Sequence, residues 1–305
     1  MSYRWTIALL CCSALLACEK QEPVRLVLLG DTGTGDAAQA QVASMLATTC
    51  DTLGCEAVLL LGDNFYPTGV ASVDDPQWQT AFDTPYAAIA APFLAVLGNH
   101  DYGGFGLGFE KDRAAAQVAM GSSGGKFVMP HHFYLRTIGN VDIFALDTSA
   151  IMFHDMEDQR AAVREWLKES DARWKVVIGH HPYLSNGTHG DAGAFDGFDA
   201  SSDYSGVTWR EFFASELCGK VDIYVAGHEH DLDWPIPEAG CAKPELIISG
   251  GGGASPRETS DRHPARYTNS VRGFFWLELS QQATAQVMEV DHVPVVVHQW
   301  KPLRD

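Results

Sequence analysis

Ala57-Val58-Leu59-Leu60-Leu61-Gly62-Asp63-Asn64-Phe65-Tyr66 is an apolar run that stops at a glycine and a carboxylate. A short apolar run ended by such a breaker reads as a strand buried on both faces. The same grammar recurs on either side of it. Val24 to Leu29 leads into Gly30-Asp31-Thr32-Gly33, and Phe93 to Leu97 into Gly98-Asn99-His100-Asp101. Trp174 to Ile178 leads into Gly179-His180-His181-Pro182, and Val221 to Val225 into Gly227-His228-Glu229-His230. Every polar motif thus falls just past the carboxyl end of a predicted strand, the edge at which open α/β sheets bind ligands.

Between these strands the pattern changes period. Ala37 to Leu46 has helical spacing, and Glu157 to Leu167 is amphipathic, with Val163, Trp166 and Leu167 on one face. Phe133 to Leu135 and Val141 to Leu146 read as a hairpin turning near Gly139-Asn140. The glycine run Gly250 to Gly253 follows the strand-like Leu246-Ile247-Ile248 and reads as a tight loop. Beyond it the chain turns to β, over Phe274 to Leu279, Ala285 to Val290 and Val293 to His298. Alternating β and α first, then antiparallel pieces, predict an α/β fold of two packed mixed β-sheets flanked by helices. A chain of 305 residues, 46% hydrophobic, suits one large domain or two small ones. One domain over residues 24–305 is expected, because motifs spread from Gly30 to His230 would have to converge across any boundary.

The start of the chain reads as a separate leader. Arg4 precedes an apolar stretch from Trp5 to Ala17, too short to span a bilayer and typical of a secretory signal. It ends in Leu15-Leu16-Ala17-Cys18, which resembles the lipobox of bacterial lipoproteins, where the cysteine becomes the lipidated first residue. The plainer alternative is a cleaved signal with a chance cysteine. Residues 1–18 are therefore expected to be removed up to a lipid-bearing Cys18, tethering an exported protein to a periplasmic or cell-surface membrane face. Four cysteines remain besides Cys11, Cys12 and Cys18, which allows three pairings. Cys50 with Cys55 would close a short loop, and Cys218 with Cys241 would staple the segments flanking Gly227-His228.

The formal net charge is −18, and −19 without Arg4. So acidic a chain lacks the basic footprint of sequence-independent nucleic-acid binding, and no nucleic-acid partner is expected. A monomer is expected.

The motifs supply two aspartates, a tyrosine, an asparagine and three histidines, enough to hold two metal ions. Taken singly, each has an ordinary alternative. Asp31 and Asp63 suit helix caps or Asx-turns, Asn99 a left-handed turn, and Tyr66 the core. His228 and His230, two apart at a strand end, would send their rings off one face. Together the seven point to a two-metal site for phosphate ester hydrolysis. A phenolate at Tyr66, with an ordinary pKa near 10, needs a strongly acidic cation such as ferric iron.

The whole set resembles the calcineurin-like metallophosphoesterases, and within them the purple acid phosphatases of the small tartrate-resistant kind. The most discriminating match is Gly62-Asp63-Asn64-Phe65-Tyr66 with Thr68-Gly69. Gly98-Asn99-His100-Asp101-Tyr102, Met129-Pro130 before Phe133-Tyr134, Leu146-Asp147-Thr148 and Trp174-Lys175-Val176-Val177 agree as well. The resemblance covers roughly residues 25–255. It departs at His181, where the small enzymes tend to have tyrosine, at Glu229, and in the C-terminal tail.

The resemblance implies the family's α/β/β/α sandwich and a ferric site of Asp31, Asp63, Tyr66 and His230. It implies a second site for Fe(II), Zn or Mn made by Asp63, Asn99, His180 and His228, with Asp63 bridging. His100 and His189 would face the substrate without binding metal. The cations would bring five positive charges against four negative ones from Asp31, Asp63, Tyr66 and a bridging hydroxide, a local balance of about +1. A metal-bound hydroxide would attack the phosphorus of a small phosphate ester, with His100 or His189 protonating the leaving alkoxide. A phosphomonoesterase is expected. A phosphodiesterase or nucleotide pyrophosphatase on the same metals, or a binding lipoprotein without catalysis, are the alternatives. Of the remaining histidines, His131, His132, His154, His263, His292 and His298, only His154 is expected near the pocket, and Arg257 is expected to be a solvated loop cation.

Overall fold

The computed structural model describes residues 22–303 except 238 and 242. The expected leader and Cys18 lie outside the described residues. The strands in chain order are β1 (Val24–Leu29), β2 (Ala57–Leu60), β3 (Phe93–Ala95), β4 (Phe127–Val128), β5 (Tyr134–Ile138), β6 (Val141–Ala145) and β7 (Trp174–Ile178). They continue as β8 (Ile223–Ala226), β9 (Leu232–Pro235), β10 (Glu245–Ser249), β11 (Ala265–Asn269), β12 (Gly273–Leu279), β13 (Ala283–Glu289) and β14 (Val295–Trp300). The main helices are α1 (Ala37–Leu53), α2 (Lys111–Gly121), α3 (Thr148–Met152), α4 (Glu157–Glu169) and α5 (Val207–Phe212).

Two seven-stranded mixed sheets result, ordered β14-β13-β12-β1-β2-β3-β4 and β11-β9-β10-β8-β7-β6-β5. The pairs β1–β2, β2–β3 and β3–β4 are parallel in the first, as are β6–β7, β7–β8 and β8–β10 in the second. This is the expected sandwich. Alternation along the strands decides which side chains fill it. In β7, Trp174, Val176 and Ile178 join the core between the sheets, while Val177 faces the helical layer. In β8, Ile223 and Val225 face inward, and Tyr224 and Ala226 face outward with Trp209 and Phe213. Ser249 Oγ donates to Leu28 O at 2.6 Å, a polar tie between the two sheets.

Differences from the expected elements have local causes. The predicted helix over 37–46 runs on to Leu53, through a threonine-rich stretch with poor helix propensity. There Thr48, Thr49 and Thr52 return their hydroxyls to the carbonyls of Ser44, Met45 and Thr48. Asp36 caps its start, accepting from Ala38 N and Gln39 N. β9 is four residues long and β11 is mostly polar, so both escape the sequence patterning; β9 forms by antiparallel pairing onto β10, and β11 by antiparallel pairing onto β9. The cysteines pair as expected, Cys50 with Cys55 and Cys218 with Cys241. Among the described residues no helix is long and apolar enough to cross a membrane.

One ion cluster locks the outer helical layer. Glu216, 1% exposed, accepts from Arg160 Nη1 and Arg164 Nη2, each at 2.7 Å. Arg164 above all, with Arg160, pulls the carboxyl down to about 2 from its ordinary 4.5. A folded pKa below the unfolded one adds stability that is present above about 4.5 and fades as the pH falls towards 2. Glu216→Gln should therefore lower the melting temperature at pH 7 by roughly 2–4 °C. Thermal unfolding across pH should show the gap to wild type closing between pH 4.5 and 2.

Candidate metal centre

The five motif loops meet at the carboxyl rim of both sheets. Asp31 follows β1, Asp63 and Tyr66 follow β2, and Asn99 follows β3. His180 follows β7, while His228 and His230 follow β8. All the oxygen donors therefore come from the first sheet and all the imidazoles from the second. Close approach is possible because the loops open on glycine. A Cβ on Gly98 would stand 2.1 Å from Asp63 Oδ1, and one on Gly227 2.6 Å from Asp31 Oδ2.

Asp31, Asp63 and His228 hold φ values of 58°, 52° and 72°, in the left-handed region that non-glycine residues avoid. Such strain costs roughly 1–3 kcal/mol per residue and marks sites where the surroundings impose the geometry. Backbone amides aim the carboxylates: His228 N donates to Asp31 Oδ2 and His100 N to Asp63 Oδ1, each at 2.9 Å. Neither aspartate caps a helix.

The donors fall into two groups that share Asp63. In the first, Tyr66 Oη lies 3.0 Å from Asp31 Oδ1, 2.9 Å from Asp63 Oδ2 and 3.1 Å from His230 Nε2. In the second, Asn99 Oδ1 lies 2.9 Å from His180 Nε2 and 3.2 Å from His228 Nδ1, and those two nitrogens are 3.2 Å apart. Asp63 Oδ1 is 3.5 Å from His180 Nε2. Asp31, Asp63 and His180 each offer an atom within 4.8 Å of the others. Ligands about 2.1 Å from one cation lie roughly 3.0–3.4 Å apart, for right-angled to tetrahedral geometry. The observed separations match.

Protons cannot satisfy these groups as well as cations can. Leu61 O and Ser255 O face His180 Nδ1 and His230 Nδ1 at 2.8 and 3.0 Å. A carbonyl only accepts, so each ring carries its proton on Nδ1 and turns the Nε2 lone pair inward. Burial keeps both histidines in the neutral form: His180 is lowered, and His230 falls to about 4 with Arg257 as the second cause. Burial also pushes His228 well below its usual range, followed by the neighbouring His189. In the second group His180 Nε2 and Asn99 Oδ1 thus present lone pairs to each other, with His228 Nδ1 beside both. In the first, burial and the Asp63 charge push Asp31 well above the usual carboxylate range. Burial, then Asp31 and Asp63, push the Tyr66 phenol up. With both carboxylates ionised, one hydroxyl hydrogen would serve three acceptors there. Both groups have the chemistry of cation sites.

Beside them opens a cavity of about 280 Å³, floored by Asn99 and His228 and walled by His100, His189 and Arg257. Pro67 O faces His100 Nδ1 at 2.7 Å, which leaves Nε2 free. The His189 ring stacks on His228 at 4.1 Å, its Nδ1 2.7 Å from Asp196 Oδ1 and its Nε2 against the Arg257 guanidinium.

Residues 24–232 match the family described as calcineurin-like phosphoesterases. The chain belongs to that family. Among relatives of this phosphoesterase, purple acid phosphatase 3 of Arabidopsis thaliana is 27% identical over 91% of this chain and 77% of its own. Human tartrate-resistant acid phosphatase type 5 is 27% identical over 91% of both chains. The fold is shared with the yellow lupin purple acid phosphatase PPD1, at a TM-score of 0.67 and 18% identity over 92% of this chain and 53% of that one. It is also shared with GAP50, described as the anchor in the inner membrane complex of Plasmodium, at 0.71 and 19% identity over 92% and 89%. With its relatives named acid phosphatases and its paired donor groups, the chain is a dinuclear-metal phosphoester hydrolase.

The structure brings together all seven expected donors and both outer histidines. It corrects several details. His228 and His230 lie in the turn beyond β8, so they reach different groups by turn geometry and not by strand alternation. His154 lies outside the cavity wall and pairs with Asp203. Arg257 lines the cavity, its backbone N donating to His230 O at 3.2 Å. His181, a departure from the family pattern, is buried with its Nδ1 2.8 Å from Thr148 Oγ1 and its ring 4.7 Å from His228.

Glu229, the other departure, is also buried and accepts from Ser185 Oγ, His189 N and Gly190 N, fixing the loop that carries His189. Asp101 accepts from Gly98 N, Asn64 N, Phe65 N and Gln117 Nε2, joining two donor loops to α2. Burial and the Asp63 charge push Asp101 up to about 7. Asp63→Ala removes the one side chain common to both groups. Elemental analysis should find metal content falling from about two ions per chain to fewer than one; retention of both ions would remove Asp63 from the bridging position.

Proposed function

We propose that the protein is an exported acid phosphomonoesterase of the purple acid phosphatase kind. The observation that carries this reading is the pair of four-donor groups with Asp63 in common. Asp31, Asp63, Tyr66 and His230 would hold a ferric ion, and Asp63, Asn99, His180 and His228 would hold Fe(II), Zn or Mn. When bound, the two cations supply charge compensation for the phosphoryl oxygens and an acidified water.

The chain's own groups divide the remaining work. Arg257 places a further cation on the cavity wall, where it can hold a phosphoryl oxygen. His189 accepts from Arg257 at Nε2 and donates its Nδ1 hydrogen to Asp196 Oδ1, so both ring nitrogens are engaged in orienting the arginine. His100 has Nδ1 tied to Pro67 O and Nε2 open to the cavity, which suits it to carry a proton to the leaving oxygen. A single cavity of about 280 Å³ offers room for one alcohol group, which favours monoesters over diesters. Likeness to GAP50 concerns the fold alone, so catalysis rests on the donor groups and not on the architecture.

A secretory-type leader and two disulfides favour export, with lipid on Cys18 as the tether to a periplasmic or cell-surface membrane. Residues 24–305 act as one domain in this reading, because β12 pairs directly with β1.

Three measurements test the proposal. Purified protein should hydrolyse nitrophenyl phosphate faster than bis(nitrophenyl) phosphate. His100→Ala should slow glycerol phosphate by about 10²–10⁴-fold and nitrophenyl phosphate much less, because nitrophenolate leaves unprotonated; equal losses would exclude His100 as the acid. Tyr66→Phe should abolish the visible phenolate-to-iron band while the second group keeps its ion, and an unchanged spectrum would exclude Tyr66 as an iron ligand.

A further inference from the structure

Large apolar side chains at the surface of a folded protein mean little singly and much when they cluster beside a cavity. Here Phe105, Leu107 and Phe198 are 73%, 62% and 40% exposed, and all three line the cavity next to the donor groups. They come from two separate segments. Phe105 sits in Gly103-Gly104-Phe105-Gly106, itself at φ 55° between glycines at 56° and 89°. That left-handed backbone is strained for phenylalanine, and the conformation exposes its ring rather than burying it. Phe198 follows the Phe195–Gly197 turn on the other segment.

The two segments are tied to each other. Tyr204 Oη donates to Leu107 O at 2.7 Å. Its ring packs edge-on to Phe153 at 5.3 Å and against Phe198 at 5.6 Å. Phe153 in turn stacks on Phe109 at 4.6 Å, and Phe109 on Tyr102 at 4.7 Å. A row of aromatic contacts therefore runs from the buried Tyr102 out to the half-exposed Phe198, so the Phe198 side of this wall is held in place by its own packing.

The cavity thus joins polar and apolar lining. Asn99, His228, His100 and Arg257 can take a phosphoryl group, while Phe105, Leu107 and Phe198 offer nothing to a charged or hydroxylated partner. We infer that the apolar lining is a subsite for the alcohol half of the ester, and that it selects phosphomonoesters of a single aromatic ring. At about 280 Å³ the cavity lies just below the 300–1,000 Å³ usual for small-molecule pockets, which fits one ring better than a long chain or a polymer. This subsite rests on the phosphomonoesterase reading above.

The test compares benzyl phosphate with 2-hydroxyethyl phosphate, both of which leave as alkoxides, so the chemical step is matched. In the metal-loaded enzyme, Phe105→Ser with Phe198→Ser should raise the ratio of the benzyl to the hydroxyethyl KM about tenfold. Calorimetric titration with benzylphosphonate, which is not hydrolysed, should show about a tenfold weaker Kd, against a much smaller change for inorganic phosphate. An unchanged KM ratio together with an unchanged benzylphosphonate Kd would overturn the subsite. If wild-type protein turns over neither monoester, the phosphomonoesterase reading fails by itself, and the phosphonate titration still decides whether the apolar wall binds a ring.

Discussion

Two carboxylates, Asp31 and Asp63, are 0% and 1% exposed at the rim of an apolar sandwich. Unpaired ionised carboxylates are not stable in such a place; they must be protonated or compensated by positive charge. The rest of the site follows from that constraint. Backbone amides take one oxygen of each carboxylate, carbonyls pin imidazole protons away from the centre, and left-handed turns bring the loops in. The lone pairs that remain all face inward, and cations are the species that satisfy them.

Buried polar side chains that bind no cation hold the loops in register. Asp101 links the Gly98 loop to the Asp63 loop, and Glu229 holds the segment that carries His189. Asp147 accepts from Tyr102 Oη at 2.6 Å and stands 2.9 Å from His132 Nδ1, while Thr148 Oγ1 accepts from His180 N. Each of these connects residues far apart in the chain. The match at Leu146-Asp147-Thr148 therefore has a physical basis in the support of His180 and of the Tyr102 turn.

The strand-end motifs were legible because a glycine followed by Asp, Asn or His after an apolar run has few competing explanations when it recurs on parallel strands. The sheet plan was legible for the same reason, through apolar runs and their period. What escaped depends on distant partners. The helix over 111–121 carries too few large apolar residues to announce itself, while β9 takes its form from β10 and β11 from β9. Arg257 and His154 were misjudged for one reason: a lone charged residue in a loop says nothing of which way the loop folds. Phe105 and Phe198 look like ordinary core residues in sequence, and only their exposure at the cavity sets them apart.

The division of donors between the sheets has a structural consequence. Oxygen ligands on one layer and nitrogen ligands on the other mean that neither layer carries a complete coordination sphere. The ions would act as rivets across the seam, in parallel with the Ser249–Leu28 tie. Slippage of one layer against the other would open both spheres together, so ion retention would report on the integrity of the whole sandwich and not on the mobility of any single loop.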